Sequence, residues 1–118
     1  MADRFEDERG LIQDILGPID AVTYIRTVKG AVRGNHLHRK TVQWTWVLSG
    51  RLLIKTKPGV LPPQIKTYHP GEMAEEGAGI PHAWMALEDT EVLVFTRGPR
   101  AGEAYESDTE RLAVPLLK

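Results

Sequence analysis

The feature that most constrains the fold is a succession of short segments rich in β-branched and aromatic residues, which begins near residue 20. Turns containing glycine, proline, serine or aspartate separate them, and helical periodicity is scarce. Asp7 to Leu16 is expected to form a helical turn or two. The predicted strands cover residues 21–28, 41–48, 51–56, 64–68, 72–76, 82–87 and 91–97. A spacing of about 8–12 residues predicts an all-β sandwich or barrel rather than a parallel α/β sheet.

The domain organisation follows from length and from the lack of an internal boundary. The 118 residues are expected to form a single domain, because no repeat or low-complexity stretch divides them. We expect a core of about residues 20–98, an N-terminal arm at residues 1–19 and a C-terminal tail at residues 99–118. The tail turns apolar at Leu112 to Leu117, so it is expected to pack on the barrel or on a second subunit.

Charge and cysteine content exclude several classes of function. Fifteen basic and sixteen acidic side chains give a formal net charge of −1, which favours neither nucleic acid nor an anionic membrane as partner. The chain has no cysteine, so disulfides and thiolate metal sites are excluded. No apolar run reaches the roughly 20 residues that a membrane helix needs, and the first residues do not resemble a signal peptide. A cytoplasmic location is therefore expected.

Histidine is sparse, and two of the four histidines are two positions apart. Residues at i and i+2 of a strand project from the same face, so His36 and His38 are expected to point in one direction. Two imidazoles on the inner face of a barrel can share one ion. His69 precedes Pro70 in a predicted turn and is expected to be a solvated loop residue.

The residues around this pair have a distinctive spacing. The chain reads glycine, five residues, histidine, one residue, histidine, four residues, glutamine, six residues, glycine; these are Gly30, His36, His38, Gln43 and Gly50. The pattern resembles the first motif of the cupins, G-x5-H-x-H-x3,4-E-x6-G, with glutamine in place of the usual glutamate. A second block resembles the second cupin motif, with Gly77 in place of proline and Ala86 in place of asparagine; its members are Gly71, Gly77, Gly79, His82 and Ala86.

The resemblance to cupins implies a fold and a ligand set. The implied fold is a small double-stranded β-helix, a jelly-roll barrel, with His82 placed opposite His36 and His38. These three histidines are the implied metal ligands, and Gln43 is the implied weak fourth ligand or a donor beside the ion. The implied cofactor is a divalent ion such as iron, manganese, nickel or zinc, with a metal-free site as the alternative.

A narrower resemblance concerns the run Val32 to Lys40, which contains R-G-x-H-x-H followed by a basic residue. It is similar to cupins that isomerise or epimerise deoxy-sugar nucleotides without a metal. The resemblance implies that His36 is a base at a carbon beside a ketone and that Arg33 binds the phosphates. An enolate formed there needs a donor or an ion, which His38 or Gln43 could supply. The implied ligand is thus a carbohydrate or sugar nucleotide.

Three tryptophans have alternative interpretations. Trp84 lies two residues from His82, so it either lines the pocket and stacks on a ligand or is a packed core residue. Trp44 and Trp46 share the face opposite to Gln43, so both are expected to point outward. Large outward indoles indicate a covered surface, such as a second sheet or subunit, and a homodimer is expected.

The reaction itself stays open at the level of sequence. An isomerase or epimerase that transfers a proton beside a carbonyl is favoured, with His36 and His38 as catalytic residues. A partner acid could be one of Tyr24, Tyr68 and Tyr105, although each has a structural interpretation. The alternatives are a metal-dependent dioxygenase that uses the same three histidines, and a module that senses a sugar or metal without catalysis.

Overall fold

The computed structural model describes residues 4–99 and 102–118, which form eleven strands and one helix. Parts of the predicted arm and tail, residues 1–3 and 100–101, lie outside the described residues. The elements are β1 (Arg4–Asp7), β2 (Gly10–Gln13), β3 (Ala21–Thr27), β4 (Val32–His38), β5 (Val42–Ser49), β6 (Leu52–Thr56), β7 (Gln64–Tyr68), β8 (Met73–Glu76), β9 (His82–Ala86), β10 (Thr90–Arg97), α1 (Gly102–Asp108) and β11 (Thr109–Arg111). The prediction of an all-β fold is confirmed.

Two antiparallel sheets enclose the core. One has the strand order β3-β10-β5-β8, and the other has the order β11-β4-β9-β6-β7. Most neighbours are distant in sequence, which is typical of a jelly roll rather than of a meander. The inner faces of both sheets supply the buried apolar cluster, whose members are Val47, Leu52, Ile54, Ala74, Trp84, Val92 and Val94.

The residues of strand β5 alternate between the inner face and the outer face of the barrel. Gln43, Thr45 and Val47 are buried on the inner side, at alternate positions along the strand. Trp44 lies on the opposite face, as expected, and is covered by the chain itself. The guanidinium of Arg97 lies 5.0 Å from the centroid of its ring, and the indole nitrogen donates to Glu75 Oε1 at 3.0 Å. Trp44 therefore needs no second subunit to cover it.

The N-terminal segment is a β-hairpin, so the expectation of a helical turn or two at Asp7 to Leu16 is wrong. Strands β1 and β2 pair in antiparallel register, from Arg4 opposite Gln13 to Asp7 opposite Gly10. Asp7 Oδ1 accepts the backbone N–H of Arg9 at 2.9 Å, and Gly10 adopts a positive φ of 133°. An aspartate that caps a tight turn and a glycine with positive φ both favour a reversal over a helix.

The C-terminal segment packs on the barrel. Helix α1, which was not predicted, leads into β11, and β11 pairs with β4, with Thr109 opposite His38. Asp108 is buried at the end of the helix and holds the residues that follow His38: its carboxylate accepts the backbone N–H of Lys40 at 2.6 Å and the hydroxyl of Thr41 at 2.6 Å. Within the described residues, no helix is long and apolar enough to cross a membrane.

Candidate active site

A bulge in β4 brings the predicted residues to one side of the sheet. Gly34 pairs with Ala83 and His36 with His82, so Asn35 is an extra residue between them. In a regular strand, Arg33 and His36 would face opposite sides because three positions separate them. The bulge places both on the wall of the same cavity.

Two residues have the backbone conformation that the bulge needs. Gly34 has φ 90°, and a Cβ atom there would lie 3.0 Å from the carbonyl oxygen of His82. Asn35 has φ 58°, a left-handed conformation that asparagine tolerates better than most residues. Its side chain also holds the C-terminal tail, because Oδ1 accepts the backbone N–H groups of Leu116 at 2.8 Å and Leu117 at 3.1 Å. Glycine and asparagine at these positions thus fix the direction of the histidine side chains.

The three predicted histidines converge in the interior. The ring centroid of His36 lies 4.6 Å from that of His38 and 4.8 Å from that of His82. One nitrogen atom from each ring lies within 4.8 Å of the others, so the group could hold a metal ion. His38 and His82 are buried, whereas His36 is partly exposed. His36 is therefore the imidazole of the three that a ligand in the cavity reaches most directly.

The orientation of two of these rings suits a metal ligand. Nδ1 of His38 lies 3.1 Å from the hydroxyl of Thr109, and Nδ1 of His82 lies 3.4 Å from the carbonyl oxygen of Ile80. An oxygen at one ring nitrogen fixes the ring, which is how metal-binding histidines are commonly held. The other nitrogen of His82, Nε2, lies 3.4 Å from Glu76 Oε2, so an ion bound by this nitrogen would have to replace that contact. Three imidazoles are a donor set for zinc, iron, nickel or manganese. The residues present therefore fit a divalent ion.

A buried carboxyl group, Glu76, lies behind His82. Its Oε1 accepts the hydroxyl of Thr45 at 2.7 Å. Its Oε2 accepts the amide of Gln43 at 2.9 Å and the indole N–H of Trp84 at 3.3 Å. The same Oε2 lies 3.4 Å from Nε2 of His82. Three predicted residues, Gln43, His82 and Trp84, thus contact one carboxyl group that the sequence analysis did not identify.

Glu76 and His82 are close enough for an ion pair, but burial favours their uncharged forms. Burial raises the pKa of Glu76 to about 7, although hydrogen bonds from Thr45 and Trp84 oppose the shift. Burial also lowers the pKa of His82 to about 4, while the Ile80 carbonyl opposes that shift. Because both shifts disfavour charge, this contact is best described as a neutral hydrogen-bonding pair near pH 6.

The cavity above the histidines has a volume of about 230 Å³. Arg33 and Trp84 both line it, together with the three histidines and Gln43. Arg33 is partly restrained, because its Nε donates to the hydroxyl of Thr27 at 2.9 Å. Trp84 belongs to the buried core and also lines the cavity, and its stacking on a ligand stays a prediction.

A second cavity of about 370 Å³ shares Arg33, Gly34 and His36 with the first one, and Arg111 of β11 also lines it. Tyr105 of α1 lines both cavities, and the centroid of its ring lies 5.8 Å from that of His38. Two guanidinium groups and one phenol therefore surround the space beside the histidines.

The other candidate residues lie elsewhere. Tyr24 donates its hydroxyl to the carboxylate of Glu91 in β10, and Tyr68 lines a different cavity together with Glu76. His69 is exposed in a turn, with Nδ1 3.0 Å from Glu72. Of the three tyrosines named in the sequence analysis, Tyr105 alone lines the histidine cavity.

Glu76 was missed because its position depends on register. The sequence shows two adjacent glutamates in a short strand, and parity alone does not reveal which of them faces inward. The pairing of Gln43 with Glu76 settles this point, since opposite residues share a face. An available signal was Ala74, the small apolar residue with the same parity as Glu76.

The sequence matches no protein-family model and none of the curated proteins. Solved structures match along almost the whole chain. A sugar 3,4-ketoisomerase, QdtA from Thermoanaerobacterium thermosaccharolyticum, in complex with TDP, has a TM-score of 0.72 at 22% identity, over 95% of this chain and 85% of that one. A dTDP-4-dehydrorhamnose 3,5-epimerase from Sulfolobus tokodaii has a TM-score of 0.69 at 19% identity, over 92% and 72%.

A third structure, the capsular polysaccharide assembling protein CapF from Staphylococcus aureus, has a TM-score of 0.66 at 20% identity; the match covers 97% of this chain and 32% of that chain. At these identities the similarity establishes the fold. The chain has the cupin jelly-roll fold, as its two motifs predicted.

Proposed function

We propose that this protein is an isomerase or epimerase that acts on a sugar nucleotide by proton transfer at a carbon next to a carbonyl group. The observation that carries the proposal is the placement of His36 and Arg33 on the wall of one cavity, by means of a bulge. The two neighbours that are named as a ketoisomerase and an epimerase of such sugars support the substrate class.

In this proposal, His36 is the base. It is the least buried of the three imidazoles, and imidazole titrates near neutral pH, as a base for a carbon acid needs. The negative charge that develops on the ketone oxygen is stabilised by a hydrogen bond from His38. Tyr105 returns a proton to the sugar, because it is the tyrosine that lines the space beside the histidines.

Arg33 binds the phosphates of the nucleotide. Its guanidinium lies where the two cavities join, so the sugar occupies the histidine side and the diphosphate lies toward Arg111. A guanidinium presents paired donors that match phosphate oxygens. Trp84 forms part of the wall against which the sugar packs.

Solvent exchange tests the proposal directly. The protein is incubated with TDP-4-keto-6-deoxyglucose in D2O, and deuterium in the sugar is followed by mass spectrometry and NMR. We expect incorporation by the wild type and a loss of at least about 100-fold in His36→Asn, because general-base catalysis contributes about 10²–10⁴-fold. His69→Asn is the matched control and should retain the wild-type rate. If the wild type binds TDP but incorporates no deuterium, the proposal is wrong.

A second form of the proposal includes a divalent ion held by His36, His38 and His82, with Gln43 as an additional oxygen donor. The convergence of three ring nitrogens favours it. Such an ion would supply Lewis-acid stabilisation of an enolate. An imidazole nitrogen that ligates an ion cannot also accept a proton, so the two forms assign different roles to His36.

Elemental analysis of protein prepared without an affinity tag separates the two forms. The metal form predicts close to one equivalent of iron, manganese, nickel or zinc, and its removal by a chelator should abolish the exchange. The metal-free form predicts no bound metal and full exchange in the presence of the chelator. The cytoplasmic location stays a prediction, which cell fractionation tests.

We also propose that the protein is a homodimer. The hairpin β1–β2 exposes apolar side chains, with Phe5 55% and Ile12 69% exposed, and an isolated two-stranded hairpin is marginal in water. An apolar cavity of about 430 Å³ lies on the outer face of the barrel, lined by Trp46, Leu93 and Phe95 among others. A second copy that covers these surfaces would bury both.

Light scattering combined with size-exclusion chromatography tests the dimer. The wild type should elute with twice the mass of 13.2 kDa, and a Phe5→Ser, Ile12→Ser double variant should dissociate to monomers at micromolar concentration. Val60→Ser is the matched control, because Val60 is 99% exposed in the loop that connects β6 to β7. A monomeric wild type would contradict the proposal.

A further inference from the structure

The side-chain amide of Gln43 is held in one orientation. Its nitrogen donates to Glu76 Oε2 at 2.9 Å. The indole nitrogen of Trp84 points at the same oxygen atom, and an indole can only donate. Oε2 is therefore an acceptor, and a reversed Gln43 would place its carbonyl oxygen against another oxygen. Glu76 thus selects the amide orientation with the nitrogen inward.

The oxygen of this amide faces the histidine cavity. Gln43 lines that cavity, whereas Glu76 lines a different one behind it. Gln43 Oε1 accepts no hydrogen bond from residues 4–99 and 102–118. In these residues, the fully buried side-chain polar atom without a hydrogen-bond partner is Thr96 Oγ1 and not Gln43 Oε1. Gln43 Oε1 is therefore open to the cavity. The site consequently presents a carbonyl acceptor beside the three imidazoles.

We infer that Glu76 is a positioning residue, which turns the Gln43 carbonyl oxygen toward the cavity so that it accepts a hydrogen bond from a substrate hydroxyl group. This inference rests on the proposed function for the identity of the substrate. The orientation of the amide does not depend on that function. A keto-sugar carries hydroxyl groups next to the carbonyl, and an acceptor at Gln43 selects the binding mode that brings one of them there.

The substitution Glu76→Met should release the amide. The new side chain offers no acceptor, so the amide nitrogen of Gln43 and the indole nitrogen of Trp84 both lose their partner. Gln43 can then turn its nitrogen toward the cavity. Glu76→Gln is the conservative control: the indole can only donate, so it selects the orientation with the carbonyl oxygen of residue 76 at the Oε2 position, and Gln43 should keep its orientation.

NMR with 15N-glutamine labelling reads the amide directly. The sequence contains three glutamines, Gln13, Gln43 and Gln64, and only Gln43 is buried. In the wild type, one proton of the Gln43 amide should be shifted downfield and exchange slowly, because it is bonded to a carboxyl oxygen. Glu76→Met should remove that signature, whereas Glu76→Gln should retain the slow exchange. Thr45→Val, which deletes the donor to the other oxygen of Glu76, should leave it in place.

Deuterium exchange from solvent into TDP-4-keto-6-deoxyglucose measures the effect of the amide orientation on the reaction rate. Glu76→Met should lower the rate by about tenfold, the equivalent of one lost hydrogen bond. The conservative variant Glu76→Gln keeps an acceptor for the Gln43 amide, and its rate should stay within about threefold of the wild type. A purely structural role for Glu76 predicts a loss of rate that does not follow the amide signal.

The results distinguish the orientation of the Gln43 amide from the proposed reaction. An unchanged Gln43 amide signal in folded Glu76→Met overturns the positioning role, whatever the activity. A Glu76→Gln variant that retains the signal but is as slow as Glu76→Met overturns the acceptor role. Absence of exchange in the wild type contradicts the proposed function instead, and the NMR result still decides the orientation of the amide.

Discussion

The hairpin at residues 4–13 and the segment at residues 102–118 lie near the two ends of the sequence, and each contains a carboxylate with a lowered pKa. In the hairpin, the guanidinium and backbone N–H of Arg9 lower the pKa of Asp7. In the C-terminal segment, burial raises the pKa of Asp108, but hydrogen bonds from Thr41 and from the backbone of Lys40 together lower it below its ordinary value. The direction of the shift is therefore the same at both ends.

The partners of the two carboxylates differ, and this difference decides what each can stabilise. Asp7 binds a residue two positions away, so it fixes only a local turn. Asp108 binds residues 67 and 68 positions away, directly after His38. A lowered pKa thus indicates a tertiary connection only where the donors come from a distant part of the chain. The C-terminal segment is connected to the strand that carries His38, whereas Asp7 connects only residues within the hairpin.

The largest effect is expected for Asp108→Ala. The substitution leaves buried donors of Lys40 and Thr41 without an acceptor, at a cost of about 2–4 kcal/mol. Urea unfolding measures the loss. Glu110→Ala, which removes only the exposed partner of Arg39, should cost less than about 1 kcal/mol. Equal losses for the two variants would show that Asp108 does not anchor the segment.

The next effect in size concerns Asn35. Asn35→Gly keeps the positive φ but removes the hydrogen bonds to Leu116 and Leu117, and should cost about 1–2 kcal/mol. Asn35→Ala adds the strain of a left-handed conformation, so it should cost about 1 kcal/mol more. Denaturant titrations of the two variants separate the contributions. An alanine variant as stable as the glycine variant would remove the strain argument.

Acid should weaken the C-terminal attachment before the barrel unfolds. Because the pKa of Asp108 is lower in the folded chain than in the unfolded chain, its contribution is present above about pH 4 and is lost as the pH falls through the folded value. Hydrogen exchange of residues 102–118 at pH 3 and pH 6 measures this effect. In Asp108→Asn the protection should vary much less between these two pH values.

The smallest effect is expected for Asp7→Asn. Its ion pair with Arg9 is exposed and screened by water and salt, so the unfolding transition of the barrel should not change measurably. Thermal unfolding at low and high salt provides the check. A clear loss of stability would show that the hairpin is attached to the barrel as firmly as the C-terminal segment.

Alternation and motif spacing in the sequence predicted the parts of the structure that depend on residues near one another in the chain. Alternation placed Gln43 inward and Trp44 outward, and the motif spacing brought His82 to His36 and His38. Packing of the C-terminal tail on the barrel was one of two expectations, but the residues that attach it could not be predicted, because they form pairs such as Asn35 with Leu117, which are 82 positions apart. Glu76 was not predicted for the same reason, since its role follows from its register with Gln43.

The N-terminal error has a different physical origin. The segment from Asp7 to Leu16 carries apolar residues without a clear period, and a turn of four residues decides between helix and hairpin. The side chain of Asp7 bonds the backbone two residues on, which competes with helix formation. Few long-range contacts act on this segment, so the choice was made by turn chemistry.

The extra residue at Asn35 has a consequence for recognising such sites in other proteins. An arginine and a histidine separated by an odd number of positions cannot face one ligand from an unbroken strand. Where R-G-x-H does serve one ligand, the spacing therefore encodes a backbone irregularity as well as two side chains. A motif search could score the arginine and the histidine but allow the number of residues between them to vary. Such a search would accept chains in which the two side chains point away from each other.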